Sequence, residues 1–225
     1  MLARAEVVLV GTANPENLGG VARLCANFAP AGLALVAPRV RADDPRALVV
    51  GRVGQAYLAG ARVVATLAEA VADAVCVVGF SARRGSARPT IALTALAGEL
   101  GRRAAAGRVA LVFGPEDAGL TTADVDRCDL VATIDLPGSL ASLNLTQAVA
   151  IALWELARTP DAPPPARAQA SHAELDALVD RAAELVGGLA DDRRAHVRRL
   201  LAAAALTPAD VRALHGLVAA VERKR

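Results

Sequence analysis

Short apolar runs alternate with stretches of helix-forming composition along the first two thirds of the chain. Val7–Val10, Leu33–Val36, Arg62–Val64, Val75–Val78, Val109–Phe113 and Leu130–Ile134 read as strands. Asn17–Phe28, Leu67–Asp73 and Thr90–Ala105 lie between them and contain no internal proline. Alternation of this kind predicts an α/β fold, a mostly parallel sheet with helices on both faces. Leu143–Ala157 reads as one more buried helix, which closes a domain spanning 1–157.

The pattern then changes. Segment 158–170 carries Pro160 and Pro163-Pro164-Pro165, an extended, semi-rigid linker. Beyond it, over 171–225, the periodicity is purely helical. Leu175, Leu178, Val179, Ala182, Leu185 and Val186 share one stripe, and Thr207-Pro208-Ala209-Asp210 has the form of a helix start. This tail is small for a unit that folds alone.

Composition narrows the possible functions. Aromatic residues are 2% of 225, too few for a protein that holds single strands by stacking bases on rings. The net charge of +2 is no polybasic coat, so any contact with nucleic acid rests on local clusters. Lys224 is the single lysine, and arginine supplies the remaining positive charge. That suits bidentate phosphate contact, and a GC-rich coding sequence gives the same bias. Cys25, Cys76 and Cys128 are odd in number and widely spaced, as expected of reduced core thiols. The start MLARAEVVLVG lacks the length and cleavage site of a signal peptide, and no stretch is apolar enough to span a bilayer. The expectation is a soluble, cytoplasmic protein without membrane contact.

Unusual residues concentrate in three loops, each of which also has a plainer reading. Gly11–Arg23 follows the first strand and opens a helix, a common place for anion contact through backbone amides. It matches neither GxGxxG nor GxxxxGK[ST], and Arg23 by itself is equally a surface arginine. Val109–Leu120 is an apolar strand ending in Gly114, where a ligand could approach the backbone, followed by Glu116 and Asp117. An ordinary strand–turn–helix junction looks the same. In Ile134–Gln147 a Pro-Gly turn leads to Ser142 and Asn144 at a helix start, where Ser142 could be simply a cap.

In order and together, the three loops resemble the signature motifs of the SPOUT-class RNA 2′-O-ribose methyltransferases. Asn17-Leu-Gly-Gly-Val-Ala-Arg23 matches N-x-G-x-x-x-R, and Leu111-Val-Phe-Gly-Pro-Glu-Asp-Ala-Gly-Leu120 matches LVFGxExxGL. Ser142-Leu-Asn-Leu-Thr-Gln-Ala-Val149 matches SLNLxQAV. Within the class the chain is most similar to the TrmJ group, through Gly79-Phe-Ser-Ala-Arg83 and the helical tail. That group methylates nucleotide 32 of the tRNA anticodon loop.

The resemblance implies a C-terminal trefoil knot, a homodimer, a tRNA substrate and S-adenosylmethionine as methyl donor, with no metal. It assigns cofactor contacts to Phe80, Ser81, Ala82, Leu111, Gly114, Ile134, Ala141, Ser142 and Leu143, largely through the backbone. Phe80 and Ala141 replace a small polar residue and a serine, and Pro115 stiffens its turn. Arg23 takes the place of the catalytic arginine, framed by Asn17, Glu116, Ser142 and Asn144. Arg83, Arg84, Arg88, Arg193, Arg194, Arg198 and Arg199 become candidates for phosphate contact. His172, His196 and His215 lack metal-ligand spacing and are expected to be solvated or interfacial. The same chemistry on ribosomal RNA or another tRNA position, and a catalytically silent RNA-binding homologue, are the alternatives.

Overall fold

A computed structural model of the protein describes residues 1–82, 90–104, 107–138, 142–158 and 168–223. Its strands are β1 (Ala5–Val10), β2 (Gly32–Val36), β3 (Arg62–Val64), β4 (Ala74–Phe80), β5 (Thr90–Ala92), β6 (Arg108–Phe113) and β7 (Leu130–Thr133). They form one sheet in the order β3-β2-β1-β6-β4-β7-β5, and every pairing is parallel. The helices are α1 (Pro15–Phe28), α2 (Pro45–Val50), α3 (Gln55–Ala59), α4 (Leu67–Val71), α5 (Leu93–Arg103), α6 (Thr122–Asp126) and α7 (Leu145–Arg158), with α8 (His172–Leu185), α9 (Asp191–Ala203) and α10 (Pro208–Glu222) in the tail.

Side chains leave a strand alternately to its two faces, so each apolar strand feeds two cores. Val7, Leu9, Leu33, Leu35, Leu111 and Phe113 pack with α1, α5 and α7. Val8, Ala34, Val36, Ala110 and Val112 face the other way, onto α4 and the Leu120–Cys128 segment. The three cysteines are free and buried. Burial pushes the Cys25 thiol up to about 12 and that of Cys76 well above its ordinary value, so neither offers a thiolate.

Several boundaries differ from the sequence expectation. Thr90–Ala92 is an edge strand beside β7, not the start of a helix, because tertiary pairing claims these β-compatible residues before α5 begins. β4 continues through Gly79 and Phe80, which stay in register with Val112 and Phe113 of β6. α7 begins at Leu145. Its cap is Asn144, whose side chain accepts from the Thr146 amide at 2.8 Å while Gln147 reaches back to the Asn144 amide. Ser142 is therefore not the cap. The expected knot turns on the loops after β4 and β7, of which 83–89 and 139–141 lie outside the described residues, as do Arg83, Arg84, Arg88 and most of the linker.

In the tail, Ala170, Leu175, Leu178 and Val211 form a small core of their own, whereas Val186 lies beyond the end of α8 and is exposed. The tail is also tied to the sheet. The Ala173 amide donates to the Ala72 carbonyl, and the buried His172 meets Asp129 through Nε2 at 2.7 Å. Arg198 donates to His172 Nδ1 at 3.0 Å and lies 3.5 Å from Asp176. A guanidinium only donates, so Nδ1 accepts and the ring proton sits on Nε2, facing Asp129. The expectation that Arg198 grips RNA is thereby corrected, since this side chain is buried among protein partners. Arg194 pairs with Asp180 and Arg199 with Asp126, which leaves Arg193 as the exposed member of that cluster. Among the described residues no helix is long and apolar enough to cross a membrane, and no cluster of side chains could hold a metal.

Candidate active site

β1, β6, β4 and β7 are successive neighbours in the sheet, so the loops leaving their C-terminal ends converge. Crevices of open parallel sheets form at this end. The tail is anchored at the opposite end, beside Ala72 and Asp129.

Asn14 caps α1, its side chain accepting from the Glu16 and Asn17 amides, and Pro15 fills the first helical position. This start places Asn17 one turn into the helix, nearly buried, opposite the loop that follows β6. Asn17 Nδ2 donates to Glu116 Oε1 at 3.0 Å, and Asn17 Oδ1 accepts from Asn144 Nδ2 at 2.9 Å. One continuous chain thus links the three matched motifs. Glu116 also accepts from Thr12 Oγ1 at 3.1 Å and from the Ala13 and Asn14 amides at 3.3 Å each. Burial works to raise the Glu116 carboxyl, but hydrogen bonds from Asn17, the backbone and Thr12 outweigh it and hold the group below the usual carboxylate range.

Beside this relay is a cavity of about 330 Å³ whose lining includes Phe80, Ser81, Ala82, Gly114, Glu116, Asp117, Ile134, Ser142 and Leu143. Phe80 and Phe113, which both line it, stack with ring centroids 4.4 Å apart. Seven of the nine residues assigned to the cofactor line it. Leu111 is wholly buried within β6 and does not reach the cavity, and Ala141 lies outside the described residues.

Gly114 is required for a reason other than ligand approach. A Cβ there would sit 2.3 Å from the Gly119 carbonyl carbon and the Leu120 amide nitrogen, so the absent side chain lets the loop fold back on itself. Gly19 in the first motif serves helix packing, since its Cβ would stand 2.4 Å from the Ala47 carbonyl oxygen of α2.

Arg23 is exposed on α1 and has no ion-pair partner among the described residues. Ser142 lines the cavity rather than joining the relay. Thr12, Asn14 and Arg39 were not singled out from the sequence. Asn14-Pro15 carries a helix-start signature that could have found the first loop's anchor. Arg39, which reaches the same loop from the end of β2, has no local signal.

The chain belongs to the SpoU rRNA methylase family, whose model matches residues 4–154. It is 40% identical over 160 residues to the tRNA (cytidine/uridine/adenosine-2′-O-)-methyltransferase TrmJ of Pseudomonas aeruginosa, covering 69% of this chain and 61% of the relative. The chain therefore spans about three fifths of that protein's length. The crystal structure of TrmJ from Z. mobilis superposes with a TM-score of 0.82 at 29% identity, over 97% of this chain and 99% of the other. A structure described for the 2-OH methylation of C/U34 on tRNA superposes with a TM-score of 0.54 at 30% identity, over 68% and 94% of the two chains.

Proposed function

We propose that this protein transfers a methyl group from S-adenosylmethionine to a ribose 2′-hydroxyl of tRNA, at nucleotide 32 of the anticodon loop. The observation that carries the reading is the Glu116–Asn17–Asn144 relay set against the cavity. It joins all three motifs, and among the described residues the Arg23 guanidinium has no protein partner.

The cavity suits the donor. Phe80, Ile134, Leu136 and Leu143 give it apolar walls, and among the described residues that line it Glu116 and Asp117 are charged and none is cationic. That environment fits a cationic sulfonium attached to an adenine ring. When bound, the cofactor would supply an electrophilic methyl to the ribose oxygen in line, its sulfur leaving as the neutral thioether of S-adenosylhomocysteine.

The chain's own part is alignment, which by itself accounts for much of the rate of such a displacement. Arg23 stays protonated and is no general base. It clamps the phosphate next to the target ribose, holds the 2′-hydroxyl in line and leaves that phosphate to receive the proton. Asn17, Glu116, Ser142 and Asn144 frame it, and no metal takes part.

Homodimerisation belongs to the same proposal. α1, which carries Arg23, packs against α2 and α7. Val49 beside it on α2 and Trp154 on α7 are strongly exposed, a pairing that suits cover by a second copy. The division into 1–157, a linker and a helical extension is likewise part of this reading, as is a cytoplasmic location beside its tRNA.

Isothermal titration and methyl-transfer assays on Arg23→Ala and Arg23→Lys test the site. Arg23→Ala should abolish transfer while cofactor affinity stays within about twofold, and Arg23→Lys should recover little because lysine lacks the fork. Near-full turnover by the lysine variant would remove the phosphate clamp from the account.

A further inference from the structure

Glu116 is not the only tie between the loop after β1 and the loop after β6. Arg39 leaves β2 just past Ala37, which adopts a left-handed φ of 41°, a strained conformation for alanine. That turn lays Arg39 across the loop after β1. Its amide donates to the Thr12 carbonyl at 2.8 Å and its Nε to the Gly11 carbonyl at 3.0 Å. Its two terminal nitrogens then reach Asp117, at 3.3 Å and 3.4 Å. Asp117 directly follows Glu116, so the guanidinium spans the same two loops that the Glu116 carboxylate joins.

We infer that Arg39 is a positioning residue for methyl transfer. It fixes the separation of the two loops at which Glu116 meets Asn17, and through them the place where the target ribose is held. The inference rests on the methyltransferase reading of this site. Arg39 and Asp117 are both more than half exposed, and exposed ion pairs contribute little to global stability. The consequence of losing the brace therefore falls on geometry rather than on folding. Lysine cannot replace it, because a single ammonium cannot serve the Gly11 carbonyl and grip both Asp117 oxygens together.

The test uses the full chain with Arg39→Ala, Arg39→Lys, Asp117→Ala and the Arg39→Ala/Asp117→Ala double variant. Three quantities are read: kcat and KM for tRNA at saturating S-adenosylmethionine, the salt dependence of tRNA binding, and hydrogen exchange at the Ala13 and Asn14 amides. Each variant should lower kcat by about tenfold, with KM within about twofold and the melting temperature unchanged. The double variant should do no worse than the worse single, as expected for two members of one brace. The Ala13 and Asn14 amides, which donate to Glu116, should exchange faster in all four. Unchanged kcat and exchange in Arg39→Ala would overturn the inference. So would a loss confined to tRNA binding with a shallower salt slope, which would mark Arg39 as a phosphate contact. If the unsubstituted protein transfers no methyl, the reading of the site fails, and the exchange measurement still decides whether Arg39 braces the loops.

Discussion

An asparagine serves a carboxylate and a second amide together only with its nitrogen towards the one and its oxygen towards the other. Asn17 does so, donating to Glu116 and accepting from Asn144, and its neighbours fix that orientation. Glu116 is held ionised by the same contacts. Because its folded-state value lies below the ordinary one of about 4.3, its contribution to stability is complete above that pH and disappears as pH falls through the depressed value. Glu116→Gln should therefore flatten the acid side of the stability profile, most visibly below about pH 4.3. Thermal melts across that range check it, and an unaltered acid limb would show that the carboxylate charge is not what the four donors stabilise. Asn17, Glu116 and Asn144 were legible because each lies in a run that resembles a family signature, although they meet from distant segments. Arg39 and Thr12 lie outside those runs, and their distant partners leave no local mark.

Strand and helix boundaries show where local pattern stops deciding structure. The apolar runs gave six strands close to their observed positions, because a strand covered on both faces announces itself by continuous β-branched and aliphatic residues. β5 was missed because three residues at an edge carry no such run, and only pairing with β7 makes them a strand. The docking of the tail was equally invisible, since Asp129, His172 and Arg198 meet from three separate parts of the chain. That junction is a sharp test at the level of elements. Arg198 and Asp129 side chains are each 3% exposed, and removing one partner of a buried ion pair costs about 3–5 kcal/mol. Arg198→Ala should lower the unfolding free energy by about that amount in a denaturant titration. A loss under about 1 kcal/mol would place the arginine in solvent and return it to the RNA-facing set.

The whole molecule presents two opposed ends, the crevice of the proposed active site at the C-terminal ends of the strands and a helical extension fastened near the other. For the proposed RNA contact by the tail, exposed residues such as Arg193 are the candidates, not the buried Arg198. Arg193→Ala should flatten the log–log salt dependence of tRNA binding by about 0.7–0.9, with an unchanged slope excluding a phosphate contact there. Trp154, the chain's single tryptophan, is 61% exposed in the isolated subunit and so reports on assembly. If two copies close over α1 and α7, Ile151→Asp should yield a monomer by sedimentation with red-shifted tryptophan emission. An unsubstituted protein that sediments as a monomer would contradict the dimer. The most direct test of the central claim is to map methylation on bulk tRNA incubated with purified protein and labelled S-adenosylmethionine, with and without EDTA. The account predicts label on the ribose 2′-oxygen of nucleotide 32 in both conditions. Label on a base, or none in the presence of EDTA, would contradict it.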